Sequence, residues 1–275
     1  MAERTILLTG ATDGLGRAVA ERLAADGARV LAHGRDEERL RRTAEEIERA
    51  TGSAVETVRA DLASLDRVRA LADEVRRRTD RLDVLVNNAG IGSGEPDGHD
   101  RRESADGHEL RFAVNYLAGF LLTLELLPLL RRSAPARIVN VASLGQYPLD
   151  FDDLMLERGY DGVRAYGQSK LAQILFTMEL AERLADDEVT VNALHPGTFM
   201  PTKMVLRERG SSVDTLETGV GSVVRLVSDP ALDGVTGRFF DRTRESRVDD
   251  QAYDPDARRQ LWARSLELTG APDAR

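Results

Sequence analysis

The sequence Thr5-Ile6-Leu7-Leu8-Thr9-Gly10-Ala11-Thr12-Asp13-Gly14-Leu15-Gly16 runs from a short apolar segment through a glycine-rich turn into a helical pattern. Residues 5–9 have the composition of a buried strand, and residues 15–26 have the apolar spacing of an amphipathic helix that ends before Gly27. The free N–H groups at such a helix N-terminus attract phosphates. Glycine-rich turns are common, so the strand and the helix around this turn carry the prediction of a dinucleotide site.

The same alternation of strand and helix continues along the chain. Further strands are predicted at residues 29–32, 55–60, 84–86, 138–141, 189–193 and 237–240. Asp36 and Ser64 are expected to cap the second and third helices, and residues 256–268 form a terminal helix. Repeated β-α units imply right-handed crossovers and a parallel sheet. We therefore predict an α/β Rossmann fold with seven mostly parallel strands, doubly wound and flanked by helices, and a single domain over residues 1–275.

Composition limits the classes of function. The chain has 275 residues, a net charge of −9 and no cysteine. The negative charge argues against a nucleic-acid partner, and the lack of cysteine excludes disulfides, thiolate metal sites and cysteine nucleophiles. No signal peptide is visible, and the longest apolar run, residues 116–130, is too short to cross a bilayer. We expect a cytoplasmic protein without a membrane span.

The segment Tyr166-Gly167-Gln168-Ser169-Lys170 opens a strongly apolar helical run at residues 171–184. Residues four apart lie on one face of a helix, so the Tyr166 and Lys170 side chains would project side by side. A neighbouring ammonium lowers the pKa of a phenol, which would make Tyr166 a general acid or base near neutral pH. Such a pair also arises by chance on a solvated face, so it does not establish catalysis alone.

The end of the second strand bears on the choice of cofactor. It contains His33-Gly34-Arg35, with no acid before Asp36. An NAD site has a carboxylate there for the ribose hydroxyls, whereas an arginine suits the 2′-phosphate of NADP. Arg35 could also pair with Asp36 or Glu37 on the surface. We predict that NADP(H) is preferred and that NAD(H) is possible.

Taken together, these motifs resemble the short-chain dehydrogenases/reductases of the Tyr-x-x-x-Lys branch. The resemblance covers nearly the whole chain and rests on seven motifs: the turn at residues 9–16, Asp61-Leu62, Asn87-Asn88-Ala89-Gly90, Asn115, Ser143, the Tyr166/Lys170 pair and Pro196-Gly197.

The resemblance implies a catalytic set. Ser143 would bind the substrate oxygen, and Tyr166 would exchange a proton with it. Lys170 would lower the pKa of the tyrosine and hold the nicotinamide ribose, while Asn115 would anchor a water that relays protons to solvent. The expected cofactor-binding residues are Gly10, Thr12, Asp13, Gly14, Leu15, Gly16, Arg35, Asp61, Leu62, Asn88, Ala89, Gly90, Tyr166, Lys170, Pro196, Gly197 and Thr198.

Two departures from the simplest family pattern carry information. Ser143 and Tyr166 are 23 residues apart, and the insertion at residues 147–154, together with residues 165–172, resembles the retinol-dehydrogenase-like and WW-domain-oxidoreductase-like subgroup. Those relatives act on bulky lipophilic alcohols and carbonyls. The threonine usually found five residues after the motif proline is replaced by Pro201, so either Thr198 or Thr202 must hold the carboxamide.

Three variable segments, residues 91–104, 145–164 and 199–214, would roof the substrate pocket. The candidate wall residues are Gln146, Tyr147, Phe199 and Met204, whose apolar character suits a hydrophobic carbonyl compound. No histidine pair has metal-ligand spacing among His33, His99, His108 and His195, so no metal is expected. We expect His195 to be a packed residue at a strand end.

These expectations point to an NADP(H)-dependent alcohol dehydrogenase or carbonyl reductase for a hydrophobic small molecule. The alternative is a non-catalytic NADP(H)-binding sensor on the same fold; a sugar-nucleotide epimerase is disfavoured because there is no room for its extra substrate domain. The apolar helices at residues 109–131 and 171–184 resemble those that build a four-helix bundle between subunits of this family. This resemblance implies a homodimer or a homotetramer.

Overall fold

Strands and helices alternate along the chain in the computed structural model, which describes residues 4–94, 98 and 100–274, with only the backbone at residue 209. The strands are β1 Thr5–Leu8, β2 Arg29–Gly34, β3 Glu56–Arg59, β4 Val84–Asn87, β5 Ala136–Val141, β6 Val189–His195, β7 Phe239–Asp241 and β8 Arg244–Glu245. The helices are α1 Gly14–Ala25, α2 Glu37–Thr51, α3 Leu65–Arg78, α4 Leu110–Phe112, α5 Ala118–Arg132, α6 Gly162–Arg183, α7 Lys203–Arg209, α8 Leu216–Ser228 and α9 Pro255–Thr269.

The strands form one sheet in the order β3-β2-β1-β4-β5-β6-β7-β8. Neighbouring strands from β3 to β7 are parallel, which confirms the predicted α/β fold with its mostly parallel sheet. The prediction of seven strands was wrong by one, because β8 pairs antiparallel with β7. Two exposed residues after a tight turn have no apolar alternation by which a sequence pattern could reveal them. The strand order reverses between β1 and β4, where ligands bind at the carboxyl ends of such sheets.

The core lies on both faces of the sheet, as β1 illustrates. Leu7 packs with residues of α3, α5, α6 and α9, whereas Ile6 and Leu8 pack on the opposite face with residues of α1 and α8. Side chains of a strand alternate between faces, so helices on both faces leave every residue of β1 buried. This packing fixes the strand ends at which the site is built.

The helix from Leu110 to Arg132 is interrupted by a π-helical turn at Ala113–Leu117. By length and composition alone this 23-residue helix could cross a membrane, which corrects the prediction that the apolar run is too short. The run was underestimated because helical residues before Tyr116 extend it. In the structure 78% of its most apolar window is buried inside the protein, as in a core helix.

Helix beginnings were only partly predicted. The Asp36 carboxylate caps α2 as expected, accepting from the Arg39 N–H at 2.9 Å. Ser64 precedes α3, but its side chain makes no capping hydrogen bond; instead the Leu65 N–H donates to Asp106 at 2.9 Å. The helices α7 and α8 were not predicted, although the Thr215 cap and the apolar spacing of α8 were signals for the second.

Candidate active site

The glycine turn between β1 and α1 packs so closely against neighbouring backbone that Gly10 and Gly16 have no room for a side chain. Gly10 has φ of +71°, and a Cβ there would lie 2.8 Å from the Cα of Ala89. A Cβ on Gly16 would lie 2.1 Å from the Gly10 carbonyl oxygen. The Asn88 side chain donates to the Thr9 carbonyl at 2.9 Å, which ties the turn to the end of β4. The turn therefore packs closely against the end of β4 and leads directly into the N-terminus of α1, where a pyrophosphate is attracted.

The His33 side chain is hydrogen-bonded to this turn, a role that the sequence did not reveal. The Gly10 N–H donates to Nδ1 of His33 at 3.3 Å, and Nε2 lies 3.1 Å from the Ala60 carbonyl oxygen. These partners require a neutral ring with its proton on Nε2. Burial lowers the pKa of His33 to about 4, and the turn therefore rests on an uncharged imidazole near neutral pH.

Arg35 follows the end of β2, and the surroundings of its guanidinium bear on the choice between NADP and NAD. A Cβ on Gly34 would lie 2.6 Å from Cγ2 of Thr12, so this position has no room for a carboxylate side chain. The Arg35 guanidinium makes no hydrogen bond or ion pair with the residues that the structure describes. The potential surface partners are engaged elsewhere, since Asp36 caps α2 and Glu37 pairs with Arg59 at 3.2 Å.

The predicted adenine-side residues lie at the same edge of the sheet. Asp61 is exposed, and its carboxylate accepts from the Ala63 N–H at 3.0 Å, whereas Leu62 is buried. The Ala89 N–H donates to the Thr9 hydroxyl at 3.1 Å. Because β3 and β4 lie on opposite sides of β1 in the sheet, Asp61 and the end of β4 lie on opposite sides of the glycine turn.

Ser143 follows β5 and meets Tyr166 from α6. The Ser143 hydroxyl lies close enough to the Tyr166 phenol to lower its pKa. The Ser143 hydroxyl also accepts from the Gly145 N–H at 3.0 Å. Nζ of Lys170 lies 5.7 Å from the centre of the Tyr166 ring. The structure thus brings three of the predicted catalytic side chains together at the carboxyl ends of the central strands.

The pKa of Tyr166 is raised in this structure, whereas the sequence led us to expect a lowered value. Burial raises it; the neighbouring Ser143 hydroxyl lowers it and the charge of Glu208 raises it, leaving a pKa above the ordinary value. Burial outweighs the other contributions here, and the predicted lowering of the Tyr166 pKa by Lys170 stays a prediction. Burial lowers the pKa of Lys170 itself to about 7, so its ammonium is only partly populated at neutral pH.

The Lys170 ammonium has partners of its own. Nζ donates to the Val141 carbonyl at 2.9 Å and to Oε1 of Gln173 at 3.0 Å. Gln173 was not predicted, because a glutamine in an apolar helix gives no signal of what it contacts. Both partners hold the ammonium in place near the Tyr166 ring.

Asn115 lies in the π-helical turn and joins two parts of the site. Its Oδ1 accepts from the Ile91 N–H at 2.8 Å, and its Nδ2 donates to the Ile91 carbonyl at 3.1 Å and to Ser169 at 2.9 Å. A π-helical turn is common at functional sites because it re-aims side chains. A Cβ on Gly90 would lie 3.2 Å from Oδ1 of Asn115 and 3.6 Å from Nζ of Lys170, so these groups adjoin.

The two carboxamide candidates occupy different surroundings. The Thr198 hydroxyl lies 3.0 Å from Nε2 of His195 and accepts from Arg242 at 3.2 Å. The Thr202 hydroxyl caps α7 by accepting from the Val205 N–H at 3.3 Å. His195 is buried at the end of β6, and its Nδ1 accepts from the Leu144 N–H at 3.3 Å, which fits a packed strand-end residue.

The Pro196-Gly197 turn is held by residues that the sequence did not reveal. The Asp214 carboxylate accepts from the Thr198 N–H at 2.6 Å and from Nε of Arg242 at 3.0 Å. Asp214 and Arg242 lie on segments whose meeting depends on tertiary packing, so no local pattern predicts the pair.

The α7 helix forms part of the roof. A Cβ on Gly92 would lie 2.8 Å from Cγ of Met204, and Glu208 accepts from the Gly94 N–H at 2.6 Å. Phe199 is 40% exposed and Tyr147 is 50% exposed. Residues 95–97 of the predicted roof, and His99, lie outside the described residues.

Gln146 has a different position from the other candidate wall residues. Its Nε2 donates to the Ser143 carbonyl at 3.0 Å, and its Oε1 accepts from the Asp249 N–H at 2.9 Å. Its amide therefore links the catalytic loop to the C-terminal part of the chain.

Comparison with known proteins adds an independent line of evidence. The family model described as short chain dehydrogenase matches residues 4–211. Human retinol dehydrogenase 14 is 39% identical over 295 residues, which cover 97% of this chain and 86% of that protein.

Two solved structures agree with the fold. A protein from Mycobacterium paratuberculosis is 31% identical with a TM-score of 0.78, covering 98% of this chain and 94% of that chain. A short chain dehydrogenase from Escherichia coli CFT073, complexed with NADPH, is 29% identical with a TM-score of 0.70, covering 87% of this chain and 96% of that chain.

Proposed function

Because this chain belongs to the short-chain dehydrogenases and is an oxidoreductase acting on CH–OH groups, we propose that it uses NADP(H) to interconvert a hydrophobic alcohol and its ketone or aldehyde. Tyr166 is the proposed general acid and base. The observation that carries the proposal is the meeting of Tyr166, Ser143 and Lys170 beside the glycine turn.

The residues around the turn fit a nicotinamide dinucleotide. Gly10 and Gly16 allow the turn to pack closely against Ala89 and its own backbone, and the turn leads into the N-terminus of α1, where phosphates are attracted. When bound, the cofactor gives or takes the hydride. The proposed cofactor contacts are those expected from the family pattern, from the glycine turn to Thr198, with Thr202 as the alternative for the carboxamide.

The protein's own groups move the proton. The Ser143 hydroxyl would hold the substrate oxygen beside the phenol of Tyr166, which donates its proton during reduction and recovers it during oxidation. Burial keeps this phenol protonated near neutral pH, the form that reduction requires. Lys170 is poised by its pKa of about 7 to pass a proton on, and Asn115 would anchor the water that carries it to solvent.

The preference for NADP(H) rests on the end of β2. Gly34 has no room for a ribose-binding carboxylate side chain, and the Arg35 guanidinium is not engaged by a described residue. An arginine in this position provides the fork of donors that suits a phosphate.

A hydrophobic substrate is supported by the mouth of the site and by the relatives. The exposed large apolar side chains there are Leu144, Tyr147, Phe199 and Leu206. The relative described above carries the name of retinol, an apolar alcohol. Gln146 and Met204 complete the proposed wall. We also propose a cytoplasmic location and no membrane span, since the one candidate helix, among the residues described, is mostly buried.

The test is Tyr166→Phe, assayed by NADPH oxidation against aldehydes and ketones of graded size. The variant should lose turnover by roughly 10²–10⁴-fold, because the phenol supplies the transferred proton. NADPH binding should remain close to that of the wild type. Tyr253→Phe, which changes an exposed tyrosine outside the site, is the matched control.

Near wild-type turnover in Tyr166→Phe would remove the tyrosine from its proposed role. Tight NADPH binding by the wild type, without turnover of any carbonyl compound or alcohol tested, would instead favour the non-catalytic sensor.

A further inference from the structure

Asp13 joins three separate elements at the edge of the phosphate site. It is the N-cap of α1, and its Oδ1 accepts from the Gly14 N–H at 2.8 Å. Its Oδ2 pairs with Arg39 of α2 at 2.7 Å and with Lys203 of α7 at 3.0 Å. One carboxylate therefore engages two cations that come from opposite sides of the glycine turn.

This carboxylate is charged at neutral pH. Burial acts to raise its pKa, but hydrogen bonds from Lys203 and Gly14, with the charges of Lys203 and Arg39, hold the pKa of Asp13 below its ordinary value. An anion at a helix N-terminus occupies the place where phosphates are attracted. Asp13 therefore competes with the phosphates of a dinucleotide for the same positive surroundings.

Arg39 lies in the first turn of α2, directly after the Arg35 segment that the NADP proposal uses. The 2′-phosphate of NADP(H) adds nearly two negative charges that NAD(H) lacks. Near Arg35 this group would draw the Arg39 guanidinium away from Asp13. The ion pair is partly exposed, with 39% of each side chain accessible, so the exchange needs no rearrangement of the core.

Through its ion pair with Lys203, the Asp13 carboxylate also attaches α7, which forms part of the roof. Thr202, the neighbouring residue, lies close enough to the turn that its Cγ2 would be 3.0 Å from a Cβ on Gly14. At the other end of α7, Glu208 is bonded to Gly94 and Ser93. Asp13 thus controls one of two attachments of α7.

We propose that Asp13 restrains the preference for NADP(H) over NAD(H), by holding Arg39 and Lys203 in ion pairs that the cofactor phosphates must displace. This inference rests on the proposed function, because it concerns the same dinucleotide site. It goes further because Asp13, which the sequence predicts to bind the cofactor, is here proposed to limit the preference for NADP(H).

The experiment compares the wild type with Asp13→Asn by titrating the fluorescence of NADPH and NADH, without substrate. Asparagine is as good a helix N-cap as aspartate, so the variant removes the charge and keeps the cap. The Kd for NADPH should fall about five- to tenfold and that for NADH clearly less, and the difference should shrink at high salt. Adding Arg39→Met to Asp13→Asn should return the ratio of the two Kd values towards the wild type.

Asp36→Asn is the matched control, since the Asp36 carboxylate caps α2 by accepting from the Arg39 backbone N–H and forms no ion pair with the Arg39 guanidinium or Lys203 in the described structure. An equal gain in that variant would assign the effect to net charge and overturn the inference. An unchanged ratio in Asp13→Asn, with NADPH still bound, would overturn the inference while leaving the proposed function standing. Absence of NADPH binding to the wild type would overturn both.

Discussion

His33 shows how one side chain can set the working range of a binding site. Its ring is buried beneath the glycine turn, where Nδ1 accepts from Gly10 and Nε2 donates to Ala60. Protonation of Nδ1 would remove the acceptor for the Gly10 N–H and place a charge in the core. The shape of the turn therefore depends on a histidine that remains neutral.

This dependence predicts a loss of stability in acid. Between pH 6.5 and about 4 the unfolded chain binds a proton that the folded protein does not, so stability falls as pH falls through this window. The wild type should lose about 3 kcal/mol more than His33→Gln over the window. Urea unfolding at a series of pH values measures the difference, and parallel curves would contradict it.

Asp13 differs from His33 because its partners come from distant elements, and its effect appears in cofactor choice rather than in stability. Its two ion pairs are partly exposed, so their energetic contribution is screened by water and salt. The ratio of NADPH and NADH affinities is thus the sensitive measurement.

At the scale of the elements, the two-residue strand β8 helps to position Arg242 near the Pro196-Gly197 turn. It closes the turn after β7 so that Arg242, held at a φ of +56°, reaches Asp214 and Thr198. Phe199, next to Thr198, also has a positive φ, of +45°. Such strained backbone persists where surrounding contacts hold it, and it occurs often at ligand sites.

Removing this support should weaken the cofactor site. Arg242→Met should raise the KM for NADPH about tenfold and change kcat less, because Thr198 loses its guanidinium partner while Tyr166 is untouched. Arg242→Lys should recover part of the loss, since it keeps the charge. Arg244→Met changes an exposed arginine of β8 and serves as the control. Equal effects of the two methionine variants on KM would contradict the positioning role.

At the scale of the whole molecule, α9 packs against the apolar helices α5 and α6. Trp262 of α9 packs against Phe120 of α5 at 5.2 Å and against Phe176 of α6 at 6.0 Å between ring centres. Tyr116 also bonds to Ser265 of α9. The homodimer or homotetramer was expected because the apolar helices at residues 109–131 and 171–184 resemble those that build a four-helix bundle between subunits of this family. In the structure, α9 of the same chain packs against these helices.

We therefore expect a monomer under dilute conditions. Light scattering should give a molar mass near 30.3 kDa over a wide range of protein concentration, because α9 covers the faces that a bundle between subunits would need. A stable mass of twice or four times this value would instead support the homodimer or homotetramer predicted from the sequence, formed through a surface other than the one α9 covers.

Most of the order of strands and helices (not β8, α7 and α8), the glycine turn and the Tyr166/Lys170 pair could be predicted from sequence, since each depends on spacing within a short segment. Local spacing sets which side chains share a face and which turns need glycine. The family resemblance was confirmed for the same reason, because its motifs are local and occur in a specific order.

Tertiary packing alone decided the rest. The support of Gly10 by His33, the pairing of Asp13 with Lys203 and the cover of α5 and α6 by α9 join residues far apart in the chain. The direction of the Tyr166 pKa was likewise set by burial, which a residue spacing does not report. Desolvation and long-range contacts arise only when the elements pack, so they belong to the folded structure.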